Sequence, residues 1–168
     1  METQKICCIK SECPEGLLSE WEQLNEGGGR FRERMKSEII KLIEEYGVCG
    51  FITGMSTGDL CAAEIVLELK AKYPHITLEC AIPYENQAEK WSEPMRDRYF
   101  SIIERCDRET LLRTQYIPGC VQRGDGYMVK NSDYILAAWS SSLPESSNTL
   151  WLARMAVKEA IAVNPETM

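Results

Sequence analysis

The chain has 168 residues, 44% hydrophobic and 27% charged, with a formal net charge of −7 from 19 Lys and Arg against 26 Asp and Glu. That length suits one folded domain burying about two-thirds of its unfolded surface, and apolar segments recurring along the whole chain exclude a disordered one. No apolar run approaches the ~20 residues of a membrane span, the N-terminus METQKICCIKSECPEG lacks the basic and apolar regions of a signal peptide, and the acidic excess argues against nucleic acid as a partner.

KICCIK (5–10) reads as a short strand. Residues 11–29 hold Pro14, Gly16 and the run Gly27-Gly28-Gly29, and read as a long loop with room for a helical turn at LLSEWEQL. From Phe31 to Tyr46, apolar Met35, Ile39, Ile40, Leu42 and Ile43 recur at helical spacing, and Gly47 supplies the stop. VCGFIT (48–53) is a buried-strand run. Asp59 then caps a second helix, with Ala62, Ala63, Val66, Leu67 and Leu69 on or near its inner face, which ends at Tyr73-Pro74.

ITLECAI (76–82) alternates as a strand does and is stopped by Pro83. Residues 85–106 read as largely helical with a break at Pro94. TLLRT (110–114) is a weaker strand, and GCVQRGDGYMVKNS (119–132) an interrupted helix. SDYILAAW (132–139) is a strong buried strand; residues 140–148 follow as a polar loop and 149–160 as a final helix. IAV (161–163) makes a last short strand before Asn164-Pro165. Strands alternating with long helices need crossover connections. The expectation is a single α/β Rossmann-like domain over residues 1–168, with a mainly parallel sheet flanked by helices.

Eight cysteines (7, 8, 13, 49, 61, 80, 106 and 120) are many for this length, but no C-x-x-C pair occurs and there is one histidine, His75. Zinc needs paired ligands at short spacing, so no metal site is expected. ICCI, VCGFI and LECAI place several thiols inside apolar runs, as reduced, buried groups of a cytoplasmic protein. Cys61 lies near a helix N-terminus, which lowers a thiol pKa, but His75 follows the opposite end of that helix and is no partner for it.

In an open parallel sheet, ligands bind beyond the carboxyl ends of the strands. The informative segment is therefore Gly54-Met55-Ser56-Thr57-Gly58-Asp59, directly after VCGFIT and opening the second helix. Its glycines allow close backbone approach, the helix start offers free N–H groups to an anion, and Ser56 and Thr57 add hydroxyls. The loop matches neither G-x-G-x-x-G nor G-x-x-x-x-G-K-[ST], and the bland alternative is a Gly-rich turn closed by Asp59.

The wider constellation is more specific. GFITGMSTGDLCAAEIVLELKAKYP, then LECAIPYENQAEKW, R-x-R-Y, Y-x-PGC, YMV-x-x-SDYILA and a closing helix together resemble the YpsA-like (DUF1273) family of the SLOG superfamily. That resemblance spans residues 5 to about 160 and implies a fold related to the LOG and DprA proteins. It further implies binding of a nucleotide-derived small molecule, by a sensor or sequestering protein, including ones in phage–host conflict, and it implies homo-oligomers. The family's loop falls on Gly54, Met55, Gly58, Asp59, Ala62, Ala63 and Glu64, one residue shorter between Gly58 and Asp59. A second motif falls on Pro83, Tyr84, Gln87 and Trp91. Tyr84 or Trp91 would stack on a base there, or Trp91 simply packs against the following helix. Glu85 and Glu89 read as helix N-terminal charges.

The departures are as informative. Relatives carry T-G-H-R-P where this chain has Lys10-Ser11-Glu12-Cys13-Pro14, and R-N-R-Y-M-V where it has Gly124-Asp125-Gly126-Tyr127-Met128-Val129. Their G-G-T is here Ser147-Asn148-Thr149, which keeps Thr149 as a donor and Asn148 as a residue tolerant of unusual backbone angles. Each lost basic residue removes a charge-assisted contact of about 1.5–3 kcal/mol to an anion. Either the ligand differs, or backbone and hydroxyl groups hold it, or the pocket is vestigial. Lys10, Ser11, Arg96, Arg98, Arg123 and Tyr127 are further candidates for the rim.

Three other functions compete with ligand binding. A LOG-like nucleoside-phosphate glycosidase would use Glu64 as acid, base or ribose acceptor, although the P-G-G-x-G-T-x-x-E loop of those enzymes is missing. Single-stranded DNA binding by analogy with DprA meets the acidic balance. A protein–protein antagonist would use the altered loops as its surface. No cofactor is expected, and the final helix, with Leu150, Trp151, Met155 and Ala156, offers an apolar face to a second subunit.

Overall fold

Strands of a parallel sheet covered on both faces should be apolar throughout, and the central strands here are. In the computed structural model, which describes residues 4–11, 27–138, 152, 154, 155 and 158–163, Cys7, Cys8 and Ile9 are at most 2% exposed, as are Phe51 and Ile52 beside them. The elements run β1 (Lys5–Ser11), α1 (Gly27–Glu44), β2 (Val48–Gly54), α2 (Leu60–Leu69), β3 (Thr77–Ile82), α3 (Glu93–Arg105), β4 (Arg108–Leu111), α4 (Cys120–Lys130), β5 (Tyr134–Ala138) and β6 (Glu159–Val163). The six strands form one sheet in the order β4-β3-β2-β1-β5-β6, every neighbouring pair parallel. This is the expected α/β, Rossmann-like arrangement.

Alternation along each strand sends side chains to two cores. Cys7, Ile9, Phe51, Leu78, Cys80, Ile82 and Leu136 share one with Met35, Ile39 and Leu42 of α1, Ile65 and Val66 of α2, and Ile102 of α3. Cys8, Ile52, Ala81, Ile135 and Ala137 share the other with Met128 and Val129 of α4. At β1 the register sets Cys8 opposite Ile52 on one side and Ile135 on the other. Among the described residues, no helix is long and apolar enough to cross a membrane.

Several boundaries differ from the sequence expectation. Gly27-Gly28-Gly29 opens α1 instead of closing a loop. Glycine is a poor helix former, and the buried stripe of Phe31, Met35, Ile39 and Leu42 that follows supplies the stabilisation. Pro94 does not break a helix but begins one: it sits in the first turn of α3, where its missing N–H costs nothing, and residues 85–90 form turns. β4 starts two residues before the expected 110, and α4 runs through Gly124 and Gly126 without interruption.

The final helix cannot extend to residue 160, because Glu159 and Ala160 pair with Tyr134 and Ile135 in the β5–β6 ladder. The last strand is therefore five residues long. LLSEWEQL, the loop at 140–148, Leu150, Trp151 and Ala156 lie outside the described residues.

Candidate functional site

From β1 the chain steps outward through β2, β3 and β4, then returns to lay β5 on the other side of β1. The strand order thus reverses between β1 and β5, and crossovers leaving in opposite directions open a crevice at the carboxyl ends there. Ser11 and Ala138 are the last residues of those strands. The segments that follow them, with Glu12, Cys13, Asn148 and Thr149, lie outside the described residues. The loop 54–59 follows β2, the other neighbour of β1, so it borders this crevice.

Asp59 organises that loop. Its Oδ1 accepts the Ser11 N–H at 2.6 Å, and its Oδ2 accepts the Ser56 N–H at 3.0 Å and the Ser56 hydroxyl at 2.6 Å. Lys10 Nζ lies 3.4 Å from the same Oδ2 and 3.7 Å from Oδ1 of Asp125, on α4. The three side chains are 11%, 1% and 6% exposed for Lys10, Asp59 and Asp125. Asp59 is thus not a side-chain cap of α2, as the sequence suggested; no cap hydrogen bond is made, and its carboxylate turns back to β1 and Ser56.

A carboxylate this buried is costly unless charged or N–H donors surround it, and here they do. The consequence is chemical: the Ser56 donors, which the sequence offered to a ligand anion, hold the chain's own anion. Gly54 has a matching reason. A Cβ there would stand 2.6 Å from Asp59 Oδ2 and 3.1 Å from Lys10 Nζ. Beside this network, Ile9, Ser11, Phe31, Met35, Gly58 and Ala62 line a small cleft together with Lys10 and Asp59.

The remaining candidates divide. Met55 is fully buried in the core, whereas Ser56, Thr57 and Gly58 keep partial exposure. Glu64 accepts from Arg98, whose Nε lies 3.2 and 3.4 Å from the two carboxylate oxygens and whose Nη2 makes a closer contact. These two candidates are therefore one ion pair linking α2 to α3. Pro83 is buried at the end of β3. Tyr84, half-buried, meets Tyr116 edge to face at 5.2 Å. Trp91 lies edge to face on Tyr99 of α3 at 5.3 Å, the packing alternative.

Tyr127 donates its hydroxyl to Glu79 in the middle of β3, which also accepts from Thr110 at 2.9 Å. Burial first, and then Glu79, push the Tyr127 phenol up. This residue links α4 to the sheet. Arg96 and Arg123 are exposed on α3 and α4. Asp125 and Tyr116 were not among the sequence candidates. Asp125 did leave a signal: it falls on the buried stripe of α4 with Cys120, Gly124, Met128 and Val129, where an acid needs a partner.

The described cysteines are free thiols, five of them buried. Burial pushes the Cys8 thiol up to about 12 and raises Cys7 and Cys80 as well, so these groups stay protonated. Cys61 is buried with Arg32 Nη1 3.8 Å from its sulfur.

A family model described as the YspA SLOG family matches residues 25–163. The chain is also similar to a UPF0398 protein of Brevibacillus brevis, 32% identical over 146 residues that cover 85% of this chain and 76% of that protein. A UPF0398 protein of Halalkalibacterium halodurans is 31% identical over 68% of this chain, and one of Staphylococcus aureus 28% identical over 62%. The matched stretch is 62% of the Halalkalibacterium protein and 57% of the Staphylococcus one, so this chain spans less than two thirds of their lengths.

Proposed function

Because this chain belongs to the YspA SLOG family, we propose that it binds a nucleotide-derived small molecule at the carboxyl rim of the sheet, where the strand order reverses beside the loop 54–59. The observation that carries the reading is the Lys10–Asp59 network at that reversal. It ties the loop to β1 through the chain's own charged and polar groups, and a loop tied in this way has less freedom to lose when a ligand binds. Ser56, Thr57 and Gly58 remain partly exposed there, and Pro83 and Tyr84 leave the neighbouring strand at the same end.

The internal carboxylate sharpens the ligand's chemistry. Ser56 is already committed to Asp59, so the ligand's anionic group is held by other N–H and hydroxyl groups of the rim. Binding without turnover is favoured over glycoside cleavage because the Glu64 carboxylate is engaged by Arg98 in a part-buried ion pair between α2 and α3.

A thermal-shift panel of nucleoside mono- and diphosphates and cyclic nucleotides tests this. A ligand present at a hundred times its Kd stabilises by about 2.7 kcal/mol, which for a chain of this size moves Tm by roughly 5–10 °C. A panel with no shift at millimolar concentration contradicts the proposal. Free base in the mixture afterwards would replace binding with glycoside cleavage.

A further inference from the structure

We propose that Tyr84 and Tyr116 form an aromatic corner that receives a planar heteroaromatic ring, the base end of the ligand; this rests on the binding reading above and specifies where that ligand's ring lies. β3 and β4 are parallel neighbours, with Ile82 opposite Leu111, so the segments carrying Tyr84 and Tyr116 leave the sheet at the same carboxyl end. Their rings stand 5.2 Å apart at 76°, each limiting the other's rotation. Tyr84 is half-buried, and burial first, with Cys120 at the start of α4 adding to it, pushes its phenol up, whereas Tyr116 is 60% exposed.

A large aromatic side chain braced on one side and open on the other gives up little rotational freedom when a flat ring stacks on it. The corner also adjoins the charged network. Pro83, which precedes Tyr84, lies against Gly124: a Cβ on that glycine would stand 3.7 Å from the Pro83 Cβ. Gly124 in turn precedes Asp125, whose carboxylate is 3.7 Å from Lys10. A ligand that is planar at one end and polar at the other would reach from the corner beyond β3 and β4 toward the loop 54–59, which leaves the neighbouring β2 at the same end of the sheet.

The test is calorimetric titration of the whole protein with two probes, AMP and ribose 5-phosphate, using the wild type, Tyr116→Ala and Tyr116→Trp. Tyr116 is exposed, so its replacement leaves folding intact. Stacking predicts that Tyr116→Ala weakens AMP by about tenfold or more and leaves ribose 5-phosphate unchanged, while Tyr116→Trp retains AMP. AMP affinity equal in wild type and Tyr116→Ala overturns the corner but not the binding reading, as does an equal loss for both probes. A Tyr116→Ala protein that changes only its subunit number, with AMP affinity kept, assigns the exposed ring to self-association and also overturns the corner. If neither probe binds the wild type, the corner as a seat for an adenine ring is overturned, while the binding reading is decided by the nucleotide panel.

Discussion

Lys10 and Asp59, 49 residues apart in sequence, meet at the carboxyl end of β1 with 3.4 Å between Nζ and Oδ2, and the Asp59 side chain is 1% exposed. The ammonium lies between two buried carboxylates, and the Ser11 N–H closes the other side of Asp59. The loop that borders the crevice is therefore held by an internal salt link.

Breaking this link from one side should be costly. Lys10→Met leaves Asp59 and Asp125 with buried charge and one cation fewer, and should destabilise by about 3–5 kcal/mol in urea unfolding. Asp59→Asn keeps the shape and loses the charge. Combined with Lys10→Met it should recover part of the loss, giving a coupling energy above about 1 kcal/mol. Additive single losses would show that the contact carries no energy.

Gly54 and Gly126 should respond oppositely to alanine. At Gly54 the new Cβ lies 2.6 Å from Asp59 Oδ2, so Gly54→Ala should cost about 1–3 kcal/mol and loosen the loop. At Gly126, inside α4, nothing stands within 4 Å of the added atom. Gly126→Ala should therefore stabilise by about 0.5–1 kcal/mol, through helix propensity alone. Thermal unfolding of both variants checks the pair, and a shift of the same sign in both would contradict it.

How much of this was legible before the structure depends on how local the cause is. VCGFIT and SDYILAAW are apolar enough to declare buried strands, and the pattern of Met35, Ile39 and Leu42 declares a helix, because periodicity is a local property. The first turn of α1 is not local in that sense: three glycines say loop, and only tertiary burial of Phe31 and Met35 overrules them. The same holds for Glu159 and Ala160, which join a strand because β5 offers an open edge. At the site, the loop 54–59 was recognisable from its glycines and hydroxyls. The inward turn of Asp59 was not, since its partner Ser11 belongs to a strand whose neighbours only the topology decides. Tyr84 was legible as an aromatic at a strand end, while its pairing with Tyr116 follows from β3 and β4 lying side by side.

Acid should weaken the fold through the carboxylates that cations hold. Burial alone would raise Asp107, but Lys70 and the Leu78 N–H outweigh it and hold its carboxyl below the ordinary carboxylate range; Lys36 and then Arg32 do the same for Glu68. A depressed carboxyl pKa contributes stability above its unfolded value and loses it as pH falls through the folded one. Unfolding free energy should therefore drop below about pH 4.5. Asp107→Asn should flatten that limb by a few tenths of a kcal/mol, the scale of an exposed pair. Equal acid sensitivity in wild type and variant would remove Asp107 from the account.

Native mass spectrometry of the protein isolated from its own host reads most directly whether the carboxyl rim beside Gly54–Asp59 holds a nucleotide-derived molecule, as we propose. The expected result is a mass excess per subunit that is released on denaturation as an intact nucleotide-derived compound. A protein recovered at its bare mass, and showing no thermal shift with the nucleotide panel, would contradict it.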